Sequence, residues 1–225
     1  MYQPMLYLHW KQIKLVLLPF VIGSFGLPLL TIQGLGTNGG TTVVEPMTAL
    51  LSTQSWLTVY PLLAAAVGIT LALSAWNWDH QLNHVYSLSL PISRRQYAML
   101  KMGAGAALAL LPVAALWMGS LVAASVVTLP AGLHAYPNQL ALRFLLGVMI
   151  SYATAFAFAA GTIRTTVIVL SVVLLYFLGG AAAQSYLAVF VPFFQHHDLV
   201  GNTFNLLVTT GPFAVFTGSW VLIDV

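Results

Sequence analysis

Long apolar segments separated by short polar stretches dominate the chain. Six such segments can be drawn, and each approaches the roughly 20 residues with which a helix crosses a bilayer. Their approximate bounds are residues 15–32, 56–76, 102–129, 144–160, 167–190 and 204–225. The pattern predicts an all-α, polytopic membrane protein with about six transmembrane helices, built as a single transmembrane domain over residues 1–225.

Residues 1–14, ahead of the first span, have an amphipathic pattern of their own. Aromatic and aliphatic residues recur there at mostly three- to four-residue spacing: Tyr2, Leu6, Tyr7, Trp10 and Ile13. This spacing favours an interfacial helix lying along the cytoplasmic membrane surface. In the alternative, the same residues extend the first span into the headgroups, with the aromatic rings as its belt.

The amino-acid composition excludes other classes of protein. Hydrophobic residues make up 60% and charged residues 5%, whereas soluble domains carry about 25% charged residues. The chain has no cysteine, which excludes disulfides and thiolate metal sites. Its net charge of +3 comes from scattered basic residues, so we expect membrane lipid rather than nucleic acid as a partner.

The basic residues predict the orientation of the chain. With the N-terminus in the cytoplasm, six of the seven lysines and arginines lie on the cytoplasmic side, where such residues accumulate. These predicted membrane-surface anchors are Lys11, Lys14, Arg94, Arg95, Lys101 and Arg164. Only Arg143 falls on the outer side. We therefore expect a multi-pass protein of the cell inner (plasma) membrane with a cytoplasmic N-terminus.

A polar and basic excursion, residues 77–101, separates the second span from the third. Asn77 or Asp79 can cap a short helix there, because their side-chain oxygens accept a hydrogen bond from an orphan amide. Pro91 ends such a helix, and Ser93 can cap the next one. The residues alone leave two interpretations open, a short cytoplasmic helix that binds a partner or a solvated loop with basic anchors.

The run Leu88-Ser-Leu-Pro-Ile-Ser-Arg-Arg-Gln-Tyr-Ala-Met-Leu-Lys101 resembles a segment of the ABC-2 type permease family, the membrane subunits of ABC exporters. The resemblance implies that residues 77–90 form a cytoplasmic coupling helix that docks on a separate ABC ATP-binding subunit. The docking residues would be Asp79, His80, Leu82, His84, Val85 and Tyr86. ATP and magnesium would belong to that partner, with no cofactor in this chain.

The resemblance also implies a second permease chain, in a homo- or heterodimer. Small residues open the third span, among them Gly103 and Gly105, and small residues let helices approach closely. They suit packing within the chain at least as well as a dimer face.

Other candidate chemistry is sparse. The sequence has no Gly-x-x-x-x-Gly-Lys-Ser/Thr phosphate loop, so we expect no enzyme activity in this chain. His80 and His84 lie four residues apart, a metal-ligand spacing that Asp79 could complete, but polar residues on a docking helix are the favoured interpretation. We therefore predict no metal site and no catalytic residue.

The spans carry no central ionised residue, which disfavours an ion-coupled secondary transporter. The sequence is thus predicted to encode the permease subunit of an ATP-driven exporter, with an amphipathic or lipid-like substrate. The alternative is a non-transport accessory or assembly subunit of a larger membrane complex.

The sixth apolar segment has an interruption. If residues 204–225 cross the membrane, Asp224 ends inside the cell. Gly211 and Pro212 break the apolar run near its middle, because proline removes an intrahelical hydrogen bond. The alternative is a partly re-entrant tail with no complete sixth span.

Overall fold

A computed structural model describes residues 2–36, 56, 58–81, 93–127, 129, 132–161, 167–176, 178–179, 206, 209, 211–218 and 220–224. The protein is an all-α polytopic membrane protein, as predicted. Within the described ranges, four helices are long and apolar enough to cross a bilayer. The chain divides into two compact units, residues 1–156 with 219–225, and residues 157–218.

Helix α1 runs without a break over Tyr2–Gly36 and contains the apolar span Ile13–Ile32. The predicted interfacial helix at residues 1–14 is therefore not a separate element, because those residues form the first turns of the same helix. This continuity matches the alternative in which they extend the first span. Pro28 lies inside α1, where its carbonyl accepts a hydrogen bond of 2.7 Å from the Thr31 hydroxyl.

Helix α2 spans Val59–Gln81 and so continues past the predicted end of the second span at residue 76. The prediction that Asn77 or Asp79 caps a new helix is wrong, because both residues lie within α2. The Asp79 carboxylate is instead buried and bonded to side chains of the next helix.

Helix α3 spans Arg94–Val126, and the predicted cap at Ser93 is confirmed. The Ser93 hydroxyl accepts from the Gln96 amide, and the Gln96 side chain accepts from the Ser93 amide, which together make a capping box. At 1.5 Å per residue, these 33 residues extend about 50 Å, well beyond the roughly 30 Å hydrocarbon core.

Helix α4 spans Pro137–Ala159 and begins seven residues before the predicted fourth span at 144. Its residue Tyr152 packs against two glycines. A Cβ at Gly68 of α2 would lie 2.7 Å from the Tyr152 amide nitrogen, and a Cβ at Gly105 of α3 would overlap the Tyr152 ring. Gly105, one of the small residues at the start of the third span, thus serves helix packing within this chain.

The described residues from Gly211 to Asp224 do not form part of the predicted sixth helical span over residues 204–225. Gly211 precedes a short 3-10 helix, Pro212–Thr217, and strand β2, Ile223–Asp224, pairs antiparallel with strand β1, His134–Ala135. The break at Gly211-Pro212 explains why a single helix fails there.

Strand β1 lies between the end of α3 and the start of α4, so β2 lies at the membrane side opposite Ser93. The expectation that Asp224 ends on the same side as Ser93 is therefore wrong. The Tyr136 amide also donates to the Leu222 carbonyl at 2.8 Å, and the side chains of Trp220, Leu222 and Ile223 are buried.

In the second unit, helix α5 spans Val167–Tyr176 and is apolar except for Ser171 and the Tyr176 hydroxyl. It corresponds to the first part of the predicted fifth span at 167–190, most of whose remainder lies outside the described residues. The rings of Phe213 and Phe216 in the 3-10 helix lie 6.5 Å apart.

Candidate functional site

An ion pair joins the last turn of α2 to the start of α3. The Lys101 ammonium lies 2.5 Å from a carboxylate oxygen of Asp79, and the two side chains are only 6% and 2% exposed. Two charges buried this deeply are costly unless each has a partner and further hydrogen bonds. The pair therefore identifies a place where the fold retains charge at the end of otherwise apolar spans.

The Tyr97 hydroxyl completes the hydrogen bonding of the carboxylate. It lies 3.1 Å from each Asp79 oxygen and donates to them, and the Lys101 ammonium lies 3.4 Å from the same hydroxyl. Tyr97 and Lys101 reach one carboxylate because residues four apart share a helix face. The Ser93 cap starts α3 in the register that directs this face toward α2.

An aromatic ring covers the ammonium. The Lys101 nitrogen lies 4.5 Å from the ring centre of Trp76 and 5.1 Å from that of Tyr97. A cation above an aromatic face is stabilised by the ring quadrupole, most strongly when water is excluded. The Trp76 ring in turn lies against Phe156 of α4, with centroids 5.2 Å apart.

His9 brings α1 to the same place. Its side chain is 4% exposed, and its Nε2 atom has no hydrogen-bond partner among the described residues. Burial, followed by the nearby Lys101 charge, lowers the pKa of His9 to about 4, and the Asp79 charge partly opposes this shift. The imidazole is therefore neutral at physiological pH. Asp79, Lys101, Tyr97, Trp76 and His9 are called the Asp79 cluster below.

Members of the Asp79 cluster lie on both sides of the polar segment that resembles a coupling segment. Asp79 lies two residues before the end of α2, and Lys101 lies seven residues after the start of α3. The ion pair therefore ties together the two flanks of residues 82–92, which lie outside the described residues.

The structure separates the predicted site residues into three groups. Asp79 is buried and so does not lie at the rim of a docking surface, and Lys101 is buried against it rather than pointing toward lipid headgroups. Both differ from expectation because each charge is the other's partner. The predicted anchors Lys11, Lys14, Arg94 and Arg95 are exposed. The remaining positions lie outside the described residues or lack a described side chain, namely His80, Leu82, His84, Val85, Tyr86 and Arg164.

Three members of the Asp79 cluster were not singled out by the sequence, namely Tyr97, Trp76 and His9. The four-residue spacing of Tyr97 and Lys101 after a capping serine was a usable signal for a shared helix face. His9 had no such signal, since the charges that act on it, Asp79 and Lys101, lie 70 and 92 residues away along the chain.

Two other kinds of site, a metal site and a substrate cavity, have less support among the described residues than the Asp79 cluster. Among the described residues, no group of three histidine or acidic side chains could hold a metal ion. At the opposite membrane side, a cavity of about 80 Å³ is lined by Tyr136, Gln139, Leu140, Arg143, Val221 and Asp224. This cavity is too small for most substrates but places Arg143 beside the two-stranded sheet.

Comparison of the chain with protein-family models, with curated proteins and with solved structures found no match.

Proposed function

We propose that the chain is the permease subunit of an ATP-driven exporter of the ABC-2 type, engaged by a separate ATPase through residues 77–101. The observation that carries the proposal is the run 88–101, which resembles the family segment. Its last residue, Lys101, forms a buried ion pair with Asp79 at the other flank of the same excursion. A merely solvated loop would not need a buried charge pair at its base, because such a pair costs desolvation energy.

In this proposal, the chain supplies the path across the membrane and the partner supplies the energy. The sequence contains no phosphate loop, so ATP and magnesium would bind the partner subunit. Closure of two ATPase subunits would press on residues 82–92. The Asp79 cluster would pass that displacement to α1, α2 and α3, and the spans of two permease chains would rearrange to release substrate outward.

The composition of the spans supports the proposed substrate class. Charged side chains are few, and Ser, Thr, Tyr and Trp supply most polar atoms in the spans. Such a path suits an amphipathic or lipid-like molecule better than a small ion, whose desolvation needs fixed charges or carbonyl rings.

The proposal is tested by purifying the affinity-tagged chain from its native membranes in mild detergent. We expect a second polypeptide with a phosphate-loop sequence to co-purify and to hydrolyse ATP. Leu82→Asp should reduce its recovery at least tenfold, because an unpaired charge would be buried in an apolar contact. Arg94→Ala is the matched control on the exposed start of α3 and should retain the partner.

A different result would favour the alternative function. If the wild-type chain is recovered in a larger membrane complex without a phosphate-loop polypeptide, it is an accessory or assembly subunit rather than a permease.

A further inference from the structure

We infer that the Asp79–Lys101 ion pair is a mechanical clamp, which holds the two flanks of residues 82–92 together so that α2 and α3 move as one body. The part of this inference that concerns energy coupling rests on the proposed function.

The geometry distinguishes a clamp from ordinary packing. The pair joins the two helices at the point where α2 ends and α3 begins. Each partner is fixed by a further group: Tyr97 holds both carboxylate oxygens, and Trp76 covers the ammonium. A pair held on both sides has one geometry, so a push on either flank is transmitted rather than absorbed by side-chain rotation.

The position of the clamp also suits transmission. The first backbone hydrogen bond of α3 runs from the Tyr97 amide to the Ser93 carbonyl at 3.0 Å. The side chains of Tyr97 and, one turn later, Lys101 both bond the Asp79 carboxylate, so the start of α3 is held to α2 at two points. Without the pair, the first two turns of α3 could unwind or swing away from α2 while the rest of both helices stayed packed.

Three variants separate a clamp from a stabilising contact. Lys101→Met leaves the Asp79 carboxylate buried and unpaired. Asp79→Asn with Lys101→Met removes both charges and retains a compact, neutral site, and so should recover most of the thermal stability. Asp79→Lys with Lys101→Asp restores a pair of opposite polarity, in which the Tyr97 hydroxyl can accept from the new lysine.

The first measurement needs no ATPase. Hydrogen–deuterium exchange of the purified chain reports the opening of residues 97–101. We expect exchange there to be at least tenfold faster in the neutral double variant than in wild type, and close to wild type in the reversed pair. Equal exchange in the neutral double variant and wild type would overturn the clamp.

The second measurement uses the complex with its ATPase. His134→Cys places a thiol on the exposed strand β1 at the opposite membrane side, in a chain that otherwise has no cysteine. We expect ATP with vanadate to change the labelling rate of this thiol by an impermeant maleimide in wild type and in the reversed pair. The neutral double variant should lose at least four-fifths of that change when the labelling rate is normalised to the amount of ATPase bound.

The two measurements distinguish failure of the proposed function from failure of the clamp. If the proposed function is wrong, no ATPase is recovered with wild type, yet the exchange measurement still decides whether the pair clamps α2 to α3. If the ATPase is recovered and the neutral double variant transmits the full labelling change, the clamp is not the coupling element.

Discussion

Gly119 of α3 packs directly against the backbone carbonyl of Phe25 in α1, so that a Cβ at Gly119 would overlap that oxygen. The obstacle is backbone and not the end of a flexible side chain, and both helices would have to separate to admit a methyl group. The close approach of α1 and α3 therefore depends on the absence of one side chain.

Replacement of Gly119 with alanine is expected to destabilise the protein by about 1–3 kcal/mol, the usual range for overpacking. The measurement is thermal or denaturant unfolding of the purified chain in detergent. Gly23→Ala in α1 is the matched control, because no atom lies within 4 Å of a Cβ built there. The control should be neutral or stabilising by up to about 1 kcal/mol, since alanine favours helix over glycine. A Gly119→Ala protein as stable as the control would contradict this packing.

Removal of the Tyr97 hydroxyl should have a larger effect than removal of an equally buried hydroxyl elsewhere. Tyr97→Phe deletes a donor to a buried carboxylate, and hydrogen bonds to charged groups contribute about 1.5–3 kcal/mol. Tyr60→Phe is the control, because that hydroxyl meets only the neutral Thr31 hydroxyl at 3.5 Å. We expect the control to lose less than about 1 kcal/mol. The same loss in both variants would mean that Tyr97 does not support the ion pair.

The buried imidazole predicts an acid-dependent loss of stability. The pKa of His9 is about 4 in the folded protein, below the value of about 6.5 expected when unfolded. Between these values the unfolded chain binds a proton that the folded chain does not. The free energy of unfolding should therefore fall as pH decreases from 6.5 to 4, by up to about 3 kcal/mol, and show no contribution from His9 above that range.

His9→Phe removes the titrating group and should flatten this part of the pH profile. The measurement is the unfolding free energy of wild type and variant at a series of pH values from 4 to 8. Two parallel profiles would show that His9 is not held neutral by the fold.

The pairing of β1 with β2 predicts where Asp224 is accessible. Single cysteines at His134 and Asp224 should react with an impermeant thiol reagent from the same side of sealed vesicles. Ser93→Cys, at the exposed start of α3, should react only from the opposite side. Labelling of Asp224→Cys and Ser93→Cys from one side would contradict the sheet and restore the original prediction for the tail.

Hydrophobic pattern and local capping signals were sufficient to predict the helical class, the first four spans and the start of α3. Both signals are read from residues that are close together in the sequence. A helix needs a minimum apolar length to cross a bilayer, and the Ser93 and Gln96 side chains bond the free amides at the start of α3. Helix ends were less well predicted, because α4 begins with polar residues that hydropathy assigns to a loop.

The Asp79 cluster and the strand pair could not be predicted in the same way. Asp79 and Lys101 looked like surface charges because each lies just outside a predicted apolar segment, whereas their burial depends on how α1, α2 and α3 meet. Similarly, nothing near Ile223 indicates a strand, since two residues form one only when His134 and Ala135 are beside them. Both features arise from contacts between distant parts of the chain.

The β1–β2 pairing has a consequence for biosynthesis. His134 emerges from the ribosome 90 residues before Asp224, its partner in the sheet. Insertion of α1 to α4 can proceed from the N-terminus, but this pairing has to wait until the intervening residues have been made. The small sheet is therefore a late event in assembly, formed only after the whole chain between its two strands has been synthesised.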